Sequence, residues 1–291
     1  MAVKFITDST SYLPRETRAR YDIGVVPLSV TLDGQMFDDD ALDYSPFYRA
    51  LAASKSFPTS SQPAVSHFVD VFSAAAAKGD QVVAVFISSE MSGTYSTALL
   101  ARDLVHERMP EAVIEIVDSR SNCMELGFAL LAGVEAAEAG ADIPGILAAI
   151  DARIARTRFL FVPDTLEYLK RGGRIGGASA LMGALLQIRP ILTVVDGKTD
   201  IFAKVRTKKR AFTEIVAAFQ RDIDTKGGLG DVTGVVVHHI DDRAEGLVLA
   251  ELVQSVTGHE VEVMTLGPAI GTHVGPGTAG LVYYTAEEMC K

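Results

Sequence analysis

Hydroxyl residues are concentrated in short segments that each follow an apolar run typical of a β-strand. The segments are residues 7–10 after the run at 3–7, residues 88–94 after 81–87, and residues 118–119 after 113–117. In open α/β sheets, ligands bind just outside the carboxyl ends of the strands. Hydroxyls at that edge, with the amides of helix N-termini, can receive an anionic oxygen. For any one segment, capping of the following helix is the simpler interpretation.

Two further segments add polar groups that could reach the same edge. Residues 57–63 form a hydroxyl-rich loop between predicted helices, and residues 267–277 form a glycine-proline loop that holds His273. Because glycines offer His273 little side-chain packing nearby in sequence, we predict a polar role for this imidazole. The other five histidines are interpreted as exposed or hydrogen-bonded side chains.

Three enzyme motifs are only partly matched. Residues 275–280 fit G-x-G-x-x-G, but a β-rich run follows where the dinucleotide fingerprint needs a helix. Gly197-Lys198-Thr199 resembles the end of a phosphate loop, yet Leu192 stands where the first glycine is required. Ser92 precedes a glycine but follows Met91, so it does not form a G-x-S-x-G elbow. We therefore predict a turn at each of the first two segments.

Alternation of strand-like and helix-like runs predicts an α/β fold. In the first half it favours a parallel sheet with helices on both faces. The predicted strands there are 3–7, 23–32, 81–87 and 113–117, and the predicted helices begin at Ser45 and cover 65–78, 94–107 and most of 124–155.

The second half favours a mixed sheet covered mainly on one face. Its strands 191–195 and 201–205 flank Asp196-Gly197, which is typical of a hairpin turn. The other predicted elements are strands 159–162, 233–237, 260–265 and 281–285, an amphipathic helix through Phe212 and Phe219, and a helix at 242–256. We place the boundary between residues 155 and 165, which gives domains 1–160 and 161–291.

Composition excludes several functional classes. The 291 residues are 48% hydrophobic and 22% charged, with a formal net charge of −10, which disfavours general binding to nucleic acid or anionic membrane. The N-terminal residues do not indicate a signal peptide, and no apolar run is long enough for a membrane span. Cys123 and Cys290 are too few for a disulfide framework or a zinc site, so we expect a cytoplasmic protein without a metal.

Two charged runs have simple interpretations. Asp38-Asp39-Asp40 is expected to be an exposed acidic turn, because an Asp run specifies little metal geometry. The densest basic cluster is expected either to be solvated or to form a docking surface. It consists of Lys204, Arg206, Lys208, Lys209 and Arg210.

Taken together, several short motifs resemble the DegV family, which includes the fatty-acid-binding subunits (FakB) of bacterial fatty acid kinase. The resemblance covers essentially the whole chain, and it depends on the order and spacing of motifs that are weak alone. They are residues 7–10, 60–63 (Ser-Ser-Gln-Pro), 92–95 (Ser-Gly-Thr-Tyr), 169–175 (Leu-Lys-Arg-Gly-Gly-Arg-Ile), 188–192 (Ile-Arg-Pro-Ile-Leu), Arg206 and 270–277.

The resemblance implies a fold, a ligand and a partner. The fold would be a three-layer α/β/α domain with a parallel sheet and a two-layer domain with a mixed sheet. A long-chain fatty acid would lie in an internal tunnel, with its carboxyl group at the domain interface. The chain would present that group to a separate ATP-dependent fatty acid kinase, without a cofactor or catalytic residues of its own.

The resemblance also assigns residues. The matching carboxylate ligands would be Ser60, Ser92 and His273, and we predict the carboxylate-binding residues as Ser60, Ser61, Ser92, Gly93, Thr94 and His273. Arg206 would belong to the kinase-docking surface. The chain departs from the family pattern at three positions. Ser60 replaces a threonine, so Thr59 is an alternative ligand; Glu125 replaces a small residue in the tunnel wall; and Arg189 replaces a lysine.

Two other functions stay open on sequence grounds. One is a serine hydrolase that uses Ser92 and His273, because catalytic triads are recognised by geometry and not by sequence order. The other is a substrate-binding relative of dihydroxyacetone kinase, which shares this fold.

Overall fold

The computed structural model describes residues 2–181, 188–227 and 234–289. In the first part of the chain, helices and short strands alternate. These elements are β1 (Val3–Asp8), α1 (Arg15–Arg20), β2 (Gly24–Val26), β3 (Ser29–Leu32), β4 (Gln35–Asp38), α2 (Ser45–Ala53), β5 (Thr59–Ser61), α3 (Val65–Ala77), β6 (Gln81–Phe86), α4 (Thr94–His106), β7 (Ile114–Asp118), α5 (Cys123–Glu138) and α6 (Ile143–Arg156).

The remaining elements contain a second group of strands. They are β8 (Thr157–Val162), α7 (Glu167–Arg171), β9 (Arg189–Val195), β10 (Lys198–Val205), α8 (Lys208–Lys226), β11 (Val235–His239), α9 (Arg243–Thr257), β12 (Glu262–Thr265), α10 (Pro268–Val274) and β13 (Ala279–Tyr284). Thr233, where a strand was predicted to begin, and Cys290 lie outside the described residues.

The first sheet is parallel and has helices on both faces, as predicted. Its strand order is β2-β1-β6-β7. Side chains of α3 and α4 pack on one face, including Phe68, Phe72 and Ala101. On the other face, α5 and α6 cover Phe5 and Val83. Strand β6, at the centre of the sheet, is apolar and buried from Val82 to Phe86 because both of its faces are covered.

The second sheet is mixed and separate from the first, which confirms the predicted fold class. Its order is β10-β9-β8-β13-β11-β12; β11 and β12 are parallel, and the other neighbouring strands pair antiparallel. Helices α8 and α9 cover one face, where Phe212, Ile215 and Phe219 are buried as the stripe on α8 predicts. The opposite face joins the core of the first half through Phe159 and Phe161. This sheet includes β8 from its first residue, Thr157.

A small antiparallel sheet lies between these parts, and the sequence did not predict it. Its order is β4-β3-β5. The run at 23–32 was predicted as one strand, but it forms β2 in the parallel sheet and β3 in this one. Pro27 separates the two, and because proline has no N–H to donate it ends the parallel ladder. The predicted loop at 57–63 likewise contains β5.

Helix α5 lies between the two large sheets. It contacts β1 and β6 on one side and β8 and β13 on the other. Most of its side chains are buried, so it is apolar around its whole circumference rather than along one stripe. Glu125 is charged, but it is buried like its apolar neighbours. It is 2% exposed and accepts a hydrogen bond from Ser121.

Candidate functional site

The carboxyl ends of the parallel strands face the second sheet across an apolar cavity. Thr10 lies just after β1, Ile87 and Ser92 follow β6, and Asn122 follows β7. The cavity encloses about 680 Å³, including its open mouth. Its apolar wall consists of Leu28, Ile87, Met91, Phe159, Phe161, Leu169, Val194, Ile240, Leu266, Ala269, Ile270 and Val274. The ends of the strands are thus positioned as in other ligand-binding α/β sheets.

Two of the predicted site residues contact each other at the cavity wall. The Ser60 Oγ and the His273 Nε2 are 2.7 Å apart, although the residues are 213 positions apart in sequence. Ser60 belongs to β5, and its neighbours Thr59 and Ser61 are exposed because side chains alternate along a strand. The geometry therefore favours Ser60 over Thr59 as the hydroxyl that faces the cavity.

His273 lies on a helix, not in a loop as the sequence predicted. Pro268 occupies the first turn of α10, where its missing N–H costs nothing, and Gly275 ends the helix with a positive φ of 87°. One turn of this helix brings Ala269, Ile270 and His273 to the same cavity wall. Seven residues are too few to show the helical period in sequence, so the glycines alone suggested a loop.

The imidazole of His273 is neutral at physiological pH. Burial, and then the nearby Arg174 guanidinium, lower its pKa to about 4. The Nδ1 is buried and has no hydrogen-bond partner among the described residues. A buried N–H without a partner costs more than a bare lone pair, so the hydrogen belongs on Nε2. In that tautomer the Nε2–H donates to Ser60, and the Ser60 hydroxyl hydrogen is directed to another acceptor.

Ser92 lines the same cavity as this pair and lies on the loop before α4. Its Oγ lies 2.9 Å from the Thr94 Oγ1 and accepts a hydrogen bond from the Thr94 amide at 3.3 Å. Ser92 lines the cavity, whereas Gly93, Thr94 and Ser61 do not.

Gly93 allows the two hydroxyl segments to approach each other. A Cβ on Gly93 would lie 2.0 Å from the Oε1 of Gln62, which follows β5. The Gln62 Nε2 in turn donates to the Thr97 Oγ1 on α4 at 2.7 Å. Gly93 thus contributes close packing between β5 and α4 rather than a contact in the cavity.

Arg174 lines the cavity, and sequence reasoning gave it no role. Its Nε donates to the Met91 carbonyl at 2.8 Å and its Nη1 to the Gly172 carbonyl at 2.6 Å. It therefore bridges the loop that carries Ser92 and the end of α7, next to His273. Its place in the Arg-Gly-Gly-Arg run was visible, but basic runs are commonly solvated and the sequence could not show this contact.

Two aspartates beneath the site are buried, and one of them corrects the prediction of an exposed acidic turn. Asp39 is 0% exposed, because its partners lie in other elements that the sequence run could not reveal. Burial raises the pKa of Asp39 to about 7, and burial raises the pKa of Asp8 to about 6. Asp8 accepts hydrogen bonds from the Ile87 amide at 2.8 Å and from the Thr10 hydroxyl, so it fixes the start of the Ser92 loop.

The basic cluster is divided between internal and exposed side chains. The Lys208 Nζ donates to the Gly277 carbonyl at 2.6 Å and pairs with Asp164 at 3.1 Å. Arg206 is exposed just after β10 and pairs with no acidic side chain in the described part of the chain.

Within the described residues, no three His, Cys, Asp or Glu side chains are grouped to hold a metal, and no helix is long and apolar enough to cross a membrane.

The geometry disfavours a hydrolase that uses Ser92 and His273. The imidazole contacts Ser60 rather than Ser92, and within the described residues no carboxylate orients its Nδ1. A catalytic triad needs both contacts.

The glycine-rich segment at 275–280 follows α10 and enters β13. A dinucleotide site needs a strand before this motif and a helix after it, so the segment does not have that context. Residues 196–197 form the turn between β9 and β10.

The fold and cavity define an α/β protein with a largely apolar site between its two large sheets. The family model described as "Uncharacterised protein, DegV family" matches residues 2–286. A DegV domain-containing protein of Clostridium acetobutylicum is 46% identical over 289 residues, which covers 99% of this chain and 100% of the relative. The chain belongs to the DegV family.

Solved structures share the architecture over nearly the full length. One, described as fatty acid binding of a DegV family protein from Thermus thermophilus, has a TM-score of 0.84 and 31% identity, and covers 98% of this chain and 100% of its own. A stearic-acid-binding protein from Eubacterium ventriosum has a TM-score of 0.87 and 26% identity over 98% and 99% of the two chains. DegV of Bacillus subtilis, described as a fatty acid binding protein, has a TM-score of 0.83 and 28% identity over the same shares.

Proposed function

We propose that this protein binds a long-chain fatty acid, with the acyl chain in the cavity and the carboxylate at Ser60, Ser92 and His273. The observation that carries the proposal is the Ser60–His273 contact, which leaves the Ser60 hydroxyl available as a donor at the wall of a largely apolar space. The descriptions of the similar structures as fatty-acid-binding proteins support the same ligand class.

The energetics suit an amphipathic ligand. Each buried methylene contributes about 0.8 kcal/mol, so a chain of roughly sixteen carbons gains on the order of 10 kcal/mol before the costs of ordering it. A desolvated carboxylate must be hydrogen-bonded. Ser60 and Ser92 supply hydroxyls, the N-terminus of α4 adds a favourable dipole, and Arg174 adds a positive charge.

The second part of the proposal is that the bound carboxylate is delivered to a separate ATP-dependent fatty acid kinase. In that reaction a carboxylate oxygen forms a bond to the γ-phosphorus of ATP, the bond to the β-phosphate oxygen breaks, and ADP leaves. The support is the resemblance at Arg206 and the exposure of that arginine at the end of β10.

Ser61, Gly93 and Thr94 are proposed to support the three carboxylate ligands from outside the cavity.

Ligand extraction and a matched pair of variants test the binding proposal. Protein produced in bacteria and extracted under denaturing conditions should release roughly one fatty acid per chain, identified by mass spectrometry. Ser60→Ala should lower the affinity for a fluorescent fatty acid about tenfold, because it removes a donor to a charged group. Thr59→Ala, at the exposed neighbouring hydroxyl, is the control and should bind as the wild type does. Recovery of a nucleotide or sugar without lipid, or equal losses in both variants, would contradict the proposal.

A further inference from the structure

The acidic run at 38–40 contains a carboxylate that the proposed ligand contacts do not use. Asp39 is fully buried, whereas Asp38 is exposed and Asp40 is half-buried. Asp38 caps its own turn through the Asp40 amide at 2.8 Å, and Asp40 pairs with Arg18 at 2.9 Å. Neither of these contacts requires a buried side chain. The burial of Asp39 must therefore be explained by its own contacts.

Asp39 joins three separate parts of the fold. Its Oδ2 accepts a hydrogen bond from the Ser9 hydroxyl at 2.7 Å, at the end of β1. Its Oδ1 accepts from the Tyr12 hydroxyl at 3.2 Å and from the Ala269 amide at 2.7 Å. Asp39 itself follows β4 of the small sheet. One carboxylate thus connects the parallel sheet, the small sheet and the first turn of α10.

Helix α10 carries the imidazole of the proposed site. Ala269 precedes His273 by one helical turn, and Ala269 also lines the cavity. The approach is close, because a Cβ on Gly267 would lie 2.6 Å from the Asp39 Oδ1. The Tyr48 hydroxyl holds the same turn by donating to the Leu266 carbonyl at 2.7 Å. The start of α10 is therefore fixed by side chains of the first half of the chain.

We propose that Asp39 is a positioning residue for the carboxylate site: by holding the first turn of α10 against the ends of β1 and β4, it sets the imidazole of His273 against Ser60. This inference rests on the proposed function. Asp39 does not line the cavity and does not touch the ligand in this arrangement. Its effect on binding passes through α10.

The charge on Asp39 makes this positioning dependent on pH. Burial, and to a smaller extent Asp8, raise its pKa to about 7, while hydrogen bonds from Ala269, Ser9 and Tyr12 oppose the increase. The ionised carboxylate accepts all three hydrogen bonds, and protonation converts one of its acceptor sites to a donor. We therefore expect α10 to be held more firmly above pH 7 than below it.

There is a pH range in which Asp39 changes charge while the other titratable groups around it largely do not. Those that face it are Asp8 and Tyr12 near β1, Tyr44 just before α2, Tyr48 in α2, and Cys123 of α5. Burial raises the pKa of the tyrosines and of the Cys123 thiol, so these stay protonated. His273 is the one titratable residue in α10, and its pKa of about 4 keeps it neutral. From about pH 8 to about pH 6.5, Asp39 is thus the main group to change charge, since the pKa of Asp8 is raised by burial only to about 6 and a free carboxylic acid stays ionised in this range.

The first experiment compares pH profiles. Affinity for a fluorescent anthroyloxy fatty acid is measured at intervals from about pH 8 to about pH 6.5 for the wild type, Asp39→Asn and Asp38→Asn. We expect wild-type affinity to fall about threefold across this range, because Asp39 is protonated over most of the step and each protonation weakens one hydrogen bond. Asp39→Asn should have the lower affinity throughout and a flat profile. Asp38→Asn, at the exposed neighbour, should keep the step.

The second experiment asks whether the effect passes through His273. Asp39→Asn is combined with His273→Ala at pH 8. If Asp39 acts by positioning the imidazole, its substitution should change affinity by less than about twofold in the His273→Ala background. Additive losses would overturn the inference, and so would a pH step retained in Asp39→Asn. If Asp39→Asn does not fold, Tyr48→Phe weakens the same turn of α10 and should lower affinity while keeping the pH step; wild-type affinity in that variant would overturn the inference.

These results are distinguishable from failure of the proposed function. A wild-type protein that binds no acyl probe at any pH contradicts fatty acid binding itself. A wild-type protein that binds tightly but shows no pH step contradicts only the role of Asp39.

Discussion

At the residue scale, the imidazole of His273 is held between a hydroxyl on one side and a backbone segment on the other. Ser60 contacts its Nε2 at 2.7 Å. On the Nδ1 side lies Gly172, where a Cβ would come within 2.2 Å of that nitrogen. Gly172 has a φ of −72°, which any residue can adopt, so glycine is needed there for space and not for backbone conformation.

A methyl group at this position should therefore act on the imidazole specifically. Gly172→Ala should displace His273 and lower fatty acid affinity by about tenfold, because the hydrogen bond to Ser60 is lost or distorted. The measurement is titration with a fluorescent fatty acid. In a His273→Ala background the clash with the ring is absent, so Gly172→Ala should have little further effect. A loss of the same size in that background would show that the glycine serves another purpose.

Sequence reasoning at this scale identified polar groups that line one cavity and missed two charged residues. Ser60 and Ser92 were predicted from hydroxyl-rich segments and from the resemblance to the family, His273 also from its glycine-rich surroundings, and all three line the cavity. Asp39 is buried and Arg174 is exposed, and neither was predicted to take part, because the contacts of a charged side chain depend on partners that are distant in sequence. The Ala269 amide that binds Asp39 is 230 residues away in sequence, and no local pattern records it.

At the element scale, the β9–β10 hairpin closes one side of the cavity. Its two turn residues, Asp196 and Gly197, have positive φ of 49° and 80°, as in the two-residue turns that suit the twist of a hairpin. The residues on either side of the turn, Val194 and Thr199, line the cavity. The Gly197 carbonyl accepts a hydrogen bond from Ser88 at 2.8 Å, so the hairpin tip rests on the loop after β6.

Two exposed ion pairs complete the contact between the hairpin tip and the first half of the chain. Arg120 pairs with Asp196 at 2.9 Å, and Lys198 pairs with Glu90 at 3.1 Å. Exposed pairs of this kind contribute about 0–1 kcal/mol each and are weakened by salt. Removal of both pairs should therefore increase the rate at which the hairpin tip separates from the first half of the chain, with a smaller effect on the stability of the fold.

We expect the hairpin tip to influence ligand exchange. The double variant Arg120→Ala, Lys198→Ala should release a bound fluorescent fatty acid about threefold to tenfold faster than wild type at low salt, with the difference shrinking as salt is added. Stopped-flow displacement by excess unlabelled fatty acid measures the rate. Arg221→Ala, which removes the exposed pair with Glu214 on α8, is the control. Unchanged release rates in the double variant would mean that the acyl chain leaves by another route.

The elements that sequence reasoning missed are the shortest ones. Asp196-Gly197 identified the hairpin because turn chemistry is local. Strand β5 has three residues and α10 has seven, so neither is long enough to display a period. Their conformations come from neighbours: β5 pairs with β3, and α10 is held by Asp39 and Tyr48. Both short elements carry a residue of the proposed site.

At the scale of the whole molecule, an acidic protein presents a local basic surface. The formal net charge is −10, yet Lys204, Arg206, Lys209 and Arg210 are all exposed near the end of β10 and the start of α8. Lys208 is not available in the same way, because it is bonded to Gly277 and Asp164. A kinase that docks here would need a surface of the opposite sign.

Charge reversal at Arg206 should separate binding from phosphorylation. Arg206→Glu should bind fatty acid as wild type does, since Arg206 does not line the cavity. Acyl-phosphate formation with the cognate kinase and ATP should fall about tenfold or more at subsaturating protein, because charges at an interface rim mainly affect association. Arg221→Glu, an exposed arginine further along α8, is the control. Equal turnover in both variants would exclude this surface as the docking site.

The long span between Asp39 and Ala269 also affects how the protein is made. The two residues are 230 positions apart, and Ser60 and His273 are 213 apart. At about 5–20 residues per second, a ribosome synthesises α10 roughly ten seconds or more after the strands against which it packs. During that interval the parallel sheet can form while its buried aspartates and its apolar edge still lack their cover. At that stage the nascent chain exposes apolar surface, and the proposed fatty-acid site would be among the last parts of the protein to be completed.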